Sequence, residues 1–417
     1  MEFMLGRRGE VRHGVAFRAV IALITVSILA ALTTGKAEAA RHRHAAAKAA
    51  SSEEESAESA ASKQNVQYAE ACVMEPVTGT VIFDADDHKP WPTASLAKMM
   101  LMYIVAQKLD DGSLKLTDQI TTSRKAAEMG GSQVYLKEGE VFSLDDMMKA
   151  VIVHSANDAS VAVAEYIAGS TDAFVQLMNQ KAAELGMKDS HYYSVHGLPP
   201  GAGEQPDVAS AYDQALLARA LIRYPQILKW SAIDTAPFRN GTFVLRNTNH
   251  MVRTYQGCDG LKTGFYDKAG FNVVATAKRG DMRLIAVVLG TTHKLTNFKM
   301  ASELMSQGFL NYDMHAVATK GQPASQTVAI SNGAVPSFKP VWGGDAAFFV
   351  KRGEANDTIK VDYKLPATIS APIKAGQQVG SADLLENGKP VTTIALLAPS
   401  DIAEQKSSLV GRLLSKF

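Results

Sequence analysis

The chain has 417 residues, of which 46% are hydrophobic and 20% charged, and its 43 basic and 42 acidic residues leave a net charge of +1. This composition is typical of a soluble globular protein with room for two or three domains. It excludes nucleic acid as an expected partner, because phosphate binding needs an excess of basic residues.

The first 39 residues have the layout of a secretory signal peptide. Four arginines within residues 7–18 precede the apolar stretch 19–32, and Ala37-Glu38-Ala39 offers small residues for cleavage. The apolar stretch is shorter than the roughly 20 residues that a membrane-spanning helix needs, so we expect cleavage and export. Residues 40–65 combine alanine, serine and glutamate runs, which predicts a disordered linker.

Residues 66–312 mix strand-like and helix-like patterns. Two strands joined by a turn are predicted within 69–83, and the nearly all-apolar segment 95–108 predicts a buried helix. Further helices are predicted over 144–168, 172–185 and 208–224, and strands over 242–245, 272–277 and 283–289. This order predicts an α+β domain in which an antiparallel sheet is flanked by helices.

Beyond Asp313 the chain changes to short alternating segments separated by turn residues. We expect 313–400 to form a small all-β domain of sandwich type. Segment 401–417 predicts an amphipathic tail that either lies on a membrane surface or packs on the protein itself. Its apolar stripe consists of Leu409, Val410, Leu413, Leu414 and Phe417. The spacing of Cys72 and Cys258 leaves their pairing open, with unpaired thiols favoured.

The motif Ser95-Leu-Ala-Lys98 opens the first predicted helix and pairs a nucleophile with a base. Residues three apart on a helix share a face, so the two side chains can approach within hydrogen-bonding range. A serine hydroxyl needs a base before it attacks a carbonyl, and lysine can serve once burial or a neighbouring cation lowers its pKa. The unpaired N–H groups of a first helical turn also favour developing negative charge at Ser95.

Two further motifs follow in order, Ser155-Ala-Asn157 after an apolar run and Lys262-Thr263-Gly264 before Phe265. The serine can relay protons, and the asparagine amide can bind a substrate backbone carbonyl. The lysine and threonine offer a cation and a donor to a carboxylate, while Gly264 permits close backbone approach. Each motif is weak alone, but the ordered set predicts acyl transfer from a peptide or lactam carbonyl through an acyl-serine.

The three motifs resemble the signature of penicillin-binding proteins and class A β-lactamases. From about Tyr68 to Tyr312, the chain resembles the low-molecular-mass penicillin-binding proteins that are serine-type D-alanyl-D-alanine carboxypeptidases. The segments that carry this resemblance are Pro92–Met100, Ser155–Ala159, Asp172–Phe174, His196–Leu198, Asp259–Phe265 and Asp267–Gly270, with a weaker match at Pro372–Gly376. The resemblance implies a β-lactamase/transpeptidase-like domain followed by the family's C-terminal β domain.

The resemblance also implies a role for each motif residue. Ser95 attacks the carbonyl between two D-alanines, Lys98 takes its proton, and Ser155 completes the relay. The implied substrate-binding residues are Asn157, Lys262, Thr263, Gly264 and Phe265, with Lys262 and Thr263 on the terminal carboxylate and the N–H groups of Ser95 and Phe265 as the oxyanion hole. No metal or organic cofactor is implied. The expected partners are peptidoglycan stem peptides and β-lactam antibiotics, in the periplasm or at the outer face of the cytoplasmic membrane.

One departure and three alternatives accompany this interpretation. A basic residue that often helps to bind the substrate carboxylate in the family falls at Asn297 here, with Lys294 and Lys299 as replacements. A D,D-endopeptidase of peptidoglycan cross-links would share the same motifs, and a non-catalytic penicillin-sensing or wall-binding protein would share the fold. A class A β-lactamase is disfavoured, because no convincing Glu-x-x-x-Asn loop lies between Asn157 and Lys262.

Overall fold

The computed structural model of the chain describes residues 67–353 and 359–405. The predicted signal peptide, the linker and the apolar stripe of the tail lie outside these residues. Within the described ranges, no helix has the length and apolar character needed to cross a bilayer.

The first half of the described chain contributes an initial strand pair and most of the helices. In chain order its elements are β1 (Glu70–Met74), β2 (Val81–Ala85), β3 (Trp91–Pro92), a 3-10 turn (Ala94–Ala97), α1 (Lys98–Asp110), β4 (Gln119–Thr121), α2 (Arg124–Ala127), β5 (Val141–Ser143), α3 (Leu144–Val153), α4 (Asn157–Ala168) and α5 (Thr171–Leu185).

The next segment ends with three long strands and a long helix. Its elements are β6 (Val208–Ala209), α6 (Ala211–Leu221), α7 (Pro225–Ser231), β7 (Thr235–Phe238), β8 (Phe243–Arg246), α8 (Met251–Thr254), β9 (Cys258–Tyr266), β10 (Gly270–Arg279), β11 (Met282–Thr291) and α9 (Thr296–Asn311).

A five-stranded antiparallel sheet of order β2-β1-β11-β10-β9 organises this part of the molecule. Successive side chains of a strand point to opposite faces, and both faces are covered here. Cys72, Val274 and Val287 join a large core formed with the helices α1 and α3–α7. Val73 and Ala275 instead join a smaller core formed with α8 and α9. The prediction of an antiparallel sheet flanked by helices is confirmed.

Several of the predicted elements have different boundaries. The single helix predicted over 144–168 is two helices, because Ser155 between them adopts a left-handed backbone with φ +63°. The helix predicted from residue 208 begins at Ala211, where the Ser210 side chain accepts the N–H of Asp213 as an N-cap. Pro225 does not only end that helix; it occupies the first turn of α7, where its missing N–H costs nothing. The helix α9 was not predicted.

The C-terminal part consists of strands, as predicted. Its elements are β12 (Tyr312–Ala318), β13 (Val328–Ser331), β14 (Ser337–Phe338), β15 (Val341–Trp342), β16 (Ala346–Lys351), β17 (Ile359–Lys364), β18 (Thr368–Ser370), β19 (Gln378–Glu386) and β20 (Lys389–Leu397). They form a four-stranded sheet β15-β20-β19-β17, a three-stranded sheet β14-β13-β18 and the pair β12-β16. Trp342, Phe348 and Leu384 belong to one buried cluster, and Ile373 and Val379 belong to a second.

The two cysteines are both buried and both unpaired. Cys72 belongs to the large helical core and Cys258 to the smaller core, on the two faces of the sheet. Burial raises the pKa of the Cys258 thiol to about 11, and burial also raises that of Cys72. The expectation of unpaired thiols is confirmed, and neither cysteine has the lowered pKa of a reactive thiol.

An ion pair secures the edge strand β9 to the sheet. The Nη1 and Nη2 atoms of Arg283 on β11 donate to the two carboxylate oxygens of Asp259, each at 2.7 Å, across the intervening strand β10. Arg283 also donates to Thr276 Oγ1 on β10 at 2.9 Å. Bidentate geometry and partial burial make this pair stronger than an ordinary surface ion pair.

We therefore expect Asp259→Ala to lower the free energy of unfolding by roughly 1–3 kcal/mol, because it leaves the Arg283 guanidinium half-buried without its partner. Thermal denaturation monitored by circular dichroism measures this loss. The control is Asp234→Ala, which removes a single exposed contact to Arg253 at 3.1 Å and should leave the melting temperature nearly unchanged. Equal shifts in the two variants would contradict the prediction.

Candidate active site

Ser95 and Lys98 lie within hydrogen-bonding distance, as their spacing predicts. Ser95 is in the 3-10 turn, and Lys98 is the first residue of α1, which follows directly. The Lys98 side chain is fully buried, and its Nζ donates to Ser95 Oγ at 2.9 Å and to the backbone carbonyl oxygen of His196 at 2.6 Å. A hydroxyl and a desolvated amine are therefore in direct contact.

The environment of Lys98 favours its neutral form. Burial lowers the pKa of Lys98 well below its ordinary value, and the nearby Lys262 ammonium lowers it further. The carboxylates of Asp207 and Asp158 oppose this shift. A lowered pKa increases the fraction of lysine in the neutral form, whose lone pair can accept a proton as a general base must.

Ser155 enters the site from the break between α3 and α4. Its left-handed backbone conformation interrupts the helical ladder, and the side chain accepts a hydrogen bond from Lys262 Nζ at 2.8 Å. The residue is only 5% exposed. The second and third motifs, which are 107 residues apart, therefore meet through one hydrogen bond.

Lys262 lies within the edge strand β9, which begins at Cys258. The amine is 1% exposed, and burial lowers the pKa of Lys262 to about 7. Its Nζ also donates to the carbonyl oxygen of Thr263 at 2.9 Å, and Thr263 Oγ1 donates to Thr248 Oγ1 at 2.7 Å. Consecutive residues of the strand thus supply a second amine and a hydroxyl.

Gly264 lets β9 approach the 3-10 turn. A Cβ at this position would lie 2.6 Å from the carbonyl oxygen of Thr93 and 3.0 Å from the backbone nitrogen of Ser95, so only glycine fits without displacement. The next residue, Phe265, is 52% exposed, and its ring stacks on that of Phe271 at 4.1 Å between centroids. The strand β9 therefore passes close to the backbone of Thr93 and Ser95 at Gly264.

Asn157 begins α4 and is buried. Its Nδ2 donates to the carbonyl oxygen of Gly130 at 2.7 Å, and its backbone N–H donates to the carbonyl oxygen of Ser132 at 2.7 Å. Its Oδ1 has no hydrogen-bond partner among the described residues. In this state the amide nitrogen holds the 130–132 loop, and the carbonyl oxygen is the atom left to accept a hydrogen bond.

Asn297 is not on the surface of the cleft. It is 3% exposed in the first turn of α9, where its Nδ2 donates to the carbonyl oxygen of Asn272 at 3.3 Å. Of the two neighbouring lysines, Lys299 lies 3.9 Å from Glu303 on the same helix. The first turn of α9 therefore directs the Asn297 side chain toward β10, where its amide nitrogen is buried with a hydrogen-bond partner.

Sequence reasoning missed three residues near Lys98. His196 was quoted only as part of the resemblance, and its functional atom is a backbone oxygen, which no side-chain pattern reveals. Ser194 and the buried Asp207 hold the segment that contains His196. A lone aspartate after a proline carries no signal in a single sequence.

Comparisons with known proteins agree with this geometry. The profile of the D-alanyl-D-alanine carboxypeptidase family matches residues 56–293, and that of the penicillin-binding protein 5 C-terminal domain matches residues 312–404. The D-alanyl-D-alanine carboxypeptidase DacF of Bacillus subtilis is 34% identical over 335 residues, which cover 80% of this chain and 85% of that protein.

Two solved structures are also similar. Penicillin-binding protein 5 of Haemophilus influenzae superposes with a TM-score of 0.65 at 27% identity, covering 82% of this chain and 98% of that one. Penicillin-binding protein D2 of Listeria monocytogenes, in its ampicillin-bound form, has a TM-score of 0.54 at 29% identity and covers 59% and 98% of the two chains.

The burial of Lys262 leads to a prediction about stability. Its folded-state pKa is about 7, below the ordinary 10.5, so the unfolded chain binds more protons between these values. Stability therefore rises with pH across this window, and the cost of burying the amine is complete below it. We expect Lys262→Met to raise the melting temperature by a few degrees near neutral pH and by less in alkaline buffer.

Differential scanning fluorimetry across pH measures this effect. The control is Lys268→Met, which removes an exposed lysine from the turn after the same strand and should change the melting temperature little at any pH. A destabilised Lys262→Met, or one stabilised equally at all pH values, would contradict the prediction.

Proposed function

The chain belongs to the D-alanyl-D-alanine carboxypeptidase family, and on this premise we propose that Ser95 is the nucleophile with which it removes the terminal D-alanine of peptidoglycan stem peptides. The observation that carries the assignment is the contact between Ser95 Oγ and Lys98 Nζ, 2.9 Å apart at a fully buried amine. Ser155 and Lys262 lie in the same cleft, since the Lys262 ammonium contributes to the lowered pKa of Lys98.

Acylation begins with the neutral Lys98. Ser95 Oγ attacks the carbonyl carbon of the penultimate D-alanine while Lys98 Nζ takes the hydroxyl proton. The carbonyl oxygen becomes an oxyanion, which the backbone N–H groups of Ser95 and Phe265 stabilise. Gly264 permits the close approach of β9 to the backbone nitrogen of Ser95, which supports this pairing of N–H groups.

Collapse of this intermediate releases D-alanine. The peptide C–N bond breaks, and the proton held by Lys98 passes to the leaving amine, with the Ser155 hydroxyl, which accepts a bond from Lys262 Nζ at 2.8 Å, as the relay between Lys98 and the leaving group. Lys262 and Thr263 hold the terminal carboxylate, for which a buried ammonium beside a hydroxyl is a suitable partner. Asn157 binds the amide of the peptide that remains on Ser95.

Hydrolysis completes the cycle. Water attacks the acyl carbon as Lys98 takes one of its protons, and the proton then returns to Ser95 Oγ as the shortened peptide leaves. A β-lactam follows the same first step, because Ser95 opens the strained C–N bond of the ring. Its amine stays tethered to the acyl group, so the covalent complex persists.

We also propose that the mature enzyme acts outside the cytoplasmic membrane. Peptidoglycan lies there, and residues 1–39 have the order of basic, apolar and small residues expected of an export signal. The proposed organisation is the linker 40–65, the catalytic domain 66–312, the β domain 313–400 and the tail 401–417. Contact of the tail with the membrane surface belongs to the same proposal.

Covalent labelling tests the nucleophile and its base. We expect wild-type protein to form a stable adduct with a fluorescent penicillin, and Ser95→Ala and Lys98→Ala to lose it by at least about 100-fold in rate. Lys262→Ala should mainly impair peptide turnover. Gel fluorescence with mass spectrometry of the labelled peptide measures the adduct. Labelling of Ser95→Ala at wild-type rate would refute the assignment.

Two substrates test the reaction itself. Incubation with a stem pentapeptide should release free D-alanine, whereas a cross-linked stem-peptide dimer should be cut far more slowly. Chromatography of the products, with the Ser95→Ala protein as the blank, distinguishes the two reactions. Faster cleavage of the dimer would favour the endopeptidase.

A further inference from the structure

The carbonyl oxygen of His196 fixes the position of the Lys98 amine. Nζ lies 2.6 Å from this oxygen and 2.9 Å from Ser95 Oγ. Donation of one N–H to His196 restrains the rotation of the amine and keeps Nζ beside the Ser95 hydroxyl, whose proton it takes when Ser95 attacks. The carbonyl dipole also stabilises the ammonium that forms when Lys98 takes the proton. Whatever holds His196 therefore holds the base.

Side-chain hydrogen bonds hold the segment 193–197, which we call the strap. The Asp207 Oδ1 accepts the backbone N–H groups of Tyr193 at 2.6 Å and Ser194 at 2.8 Å, and its Oδ2 accepts the Ser194 hydroxyl at 2.6 Å. Ser194 Oγ in turn accepts the N–H groups of His196 at 3.3 Å and Gly197 at 2.8 Å. Four N–H groups of the strap thus depend on one carboxylate and one hydroxyl.

Packing alone does not fix the strap. Its residues Tyr193 to His196 line a cavity of about 530 Å³, together with Lys125, Thr171 and Asp207. A segment with an open volume on one side has few van der Waals contacts there, so its hydrogen bonds carry more of the positioning.

The same aspartate also holds the nucleophile turn. The backbone carbonyl oxygen of Asp207 accepts the N–H of Thr93 at 2.9 Å and its hydroxyl at 3.3 Å. The 3-10 turn that contains Ser95 begins one residue later. The main chain of Asp207 thus binds the turn of the nucleophile, while its side chain binds the strap that anchors the base.

Charge adds to this geometry. Asp207 is 4% exposed, and its carboxylate raises the pKa of Lys98 against burial and Lys262. The other groups that face Lys98 are Asp158 from α4 and Lys262 from β9, together with His196, whose pKa burial lowers to about 4 and which is neutral near neutral pH. An anion placed here stabilises the ammonium form of Lys98.

We propose that Asp207 is a positioning residue for acylation, which sets both the location of the Lys98 amine through the strap and the charge that Lys98 meets when it takes the proton. The inference rests on the proposed roles of Ser95 and Lys98. It assigns to one buried carboxylate, outside the three motifs, the alignment of nucleophile and base.

The test is the second-order rate constant for acylation by a fluorescent penicillin, measured from acidic to mildly alkaline pH. Asp207→Asn keeps an oxygen for the strap N–H groups but removes the charge. The acid limb of the pH–rate profile reports protonation of Lys98. In Asp207→Asn we expect this limb to move to lower pH by roughly half a unit or more. Asp207→Ala also releases the strap, and its plateau rate should fall about tenfold or more.

Ser194→Ala and Asp213→Asn complete the set. Ser194→Ala keeps the charge of Asp207 and removes the hydroxyl that binds the N–H groups of His196 and Gly197. The plateau of its acylation rate should therefore fall several-fold, while the acid limb of the pH–rate profile stays in place. Asp213 is a buried carboxylate that accepts bonds from Asp189 and Ser190 and does not touch the strap. Asp213→Asn should lower the melting temperature without moving the limb.

The outcomes separate this inference from the proposed function. If the wild type forms no adduct at Ser95, the proposed function fails. If it does, an unmoved limb in Asp207→Asn or an undiminished plateau in Asp207→Ala overturns the role of Asp207 alone. Should Asp207→Ala show no cooperative melting transition, the plateau of Ser194→Ala decides the positioning claim.

Discussion

Two lysine amines are buried in one cleft, and the surrounding residues must offset the free-energy cost of removing both from water. An ammonium ion loses several kcal/mol of hydration on burial, and two of them repel each other. The fold resolves the conflict by lowering the pKa of both and by supplying oxygen partners to each. In the proposed mechanism Lys98 acts as the base, and Lys262 is the cation that receives the carboxylate of the substrate.

The sheet and the helices contribute in different ways to this cleft. The apolar helix α1 has buried neighbours on every side, which explains why the Lys98 side chain is shielded from solvent. The strand β9 is the last in the order of the sheet, and Arg283 on β11 ties it to the strands behind it. The 3-10 turn and the start of α1 thus carry the proposed nucleophile and its base, and the edge strand β9 carries the proposed carboxylate site.

Much of this could be predicted because the motifs report local chemistry. Ser95 and Lys98 are one turn apart, and their contact follows from helical geometry. The break at Ser155 was missed because the flanking residues form helices on both sides. A serine with a left-handed backbone conformation cannot be recognised from the amino-acid sequence. Asp207 was missed for a different reason: its role arises from contacts with residues 13 and 14 positions earlier and with Thr93, which only the folded chain brings together.

The location of the two thiols on opposite faces of the sheet has a consequence for biogenesis. A chain whose cysteines belong to separate hydrophobic layers needs no oxidase or disulfide isomerase to reach its native form. Its maturation is therefore indifferent to whether the surrounding compartment is reducing or oxidising. Thiol-directed reagents should meet an inert protein until it unfolds.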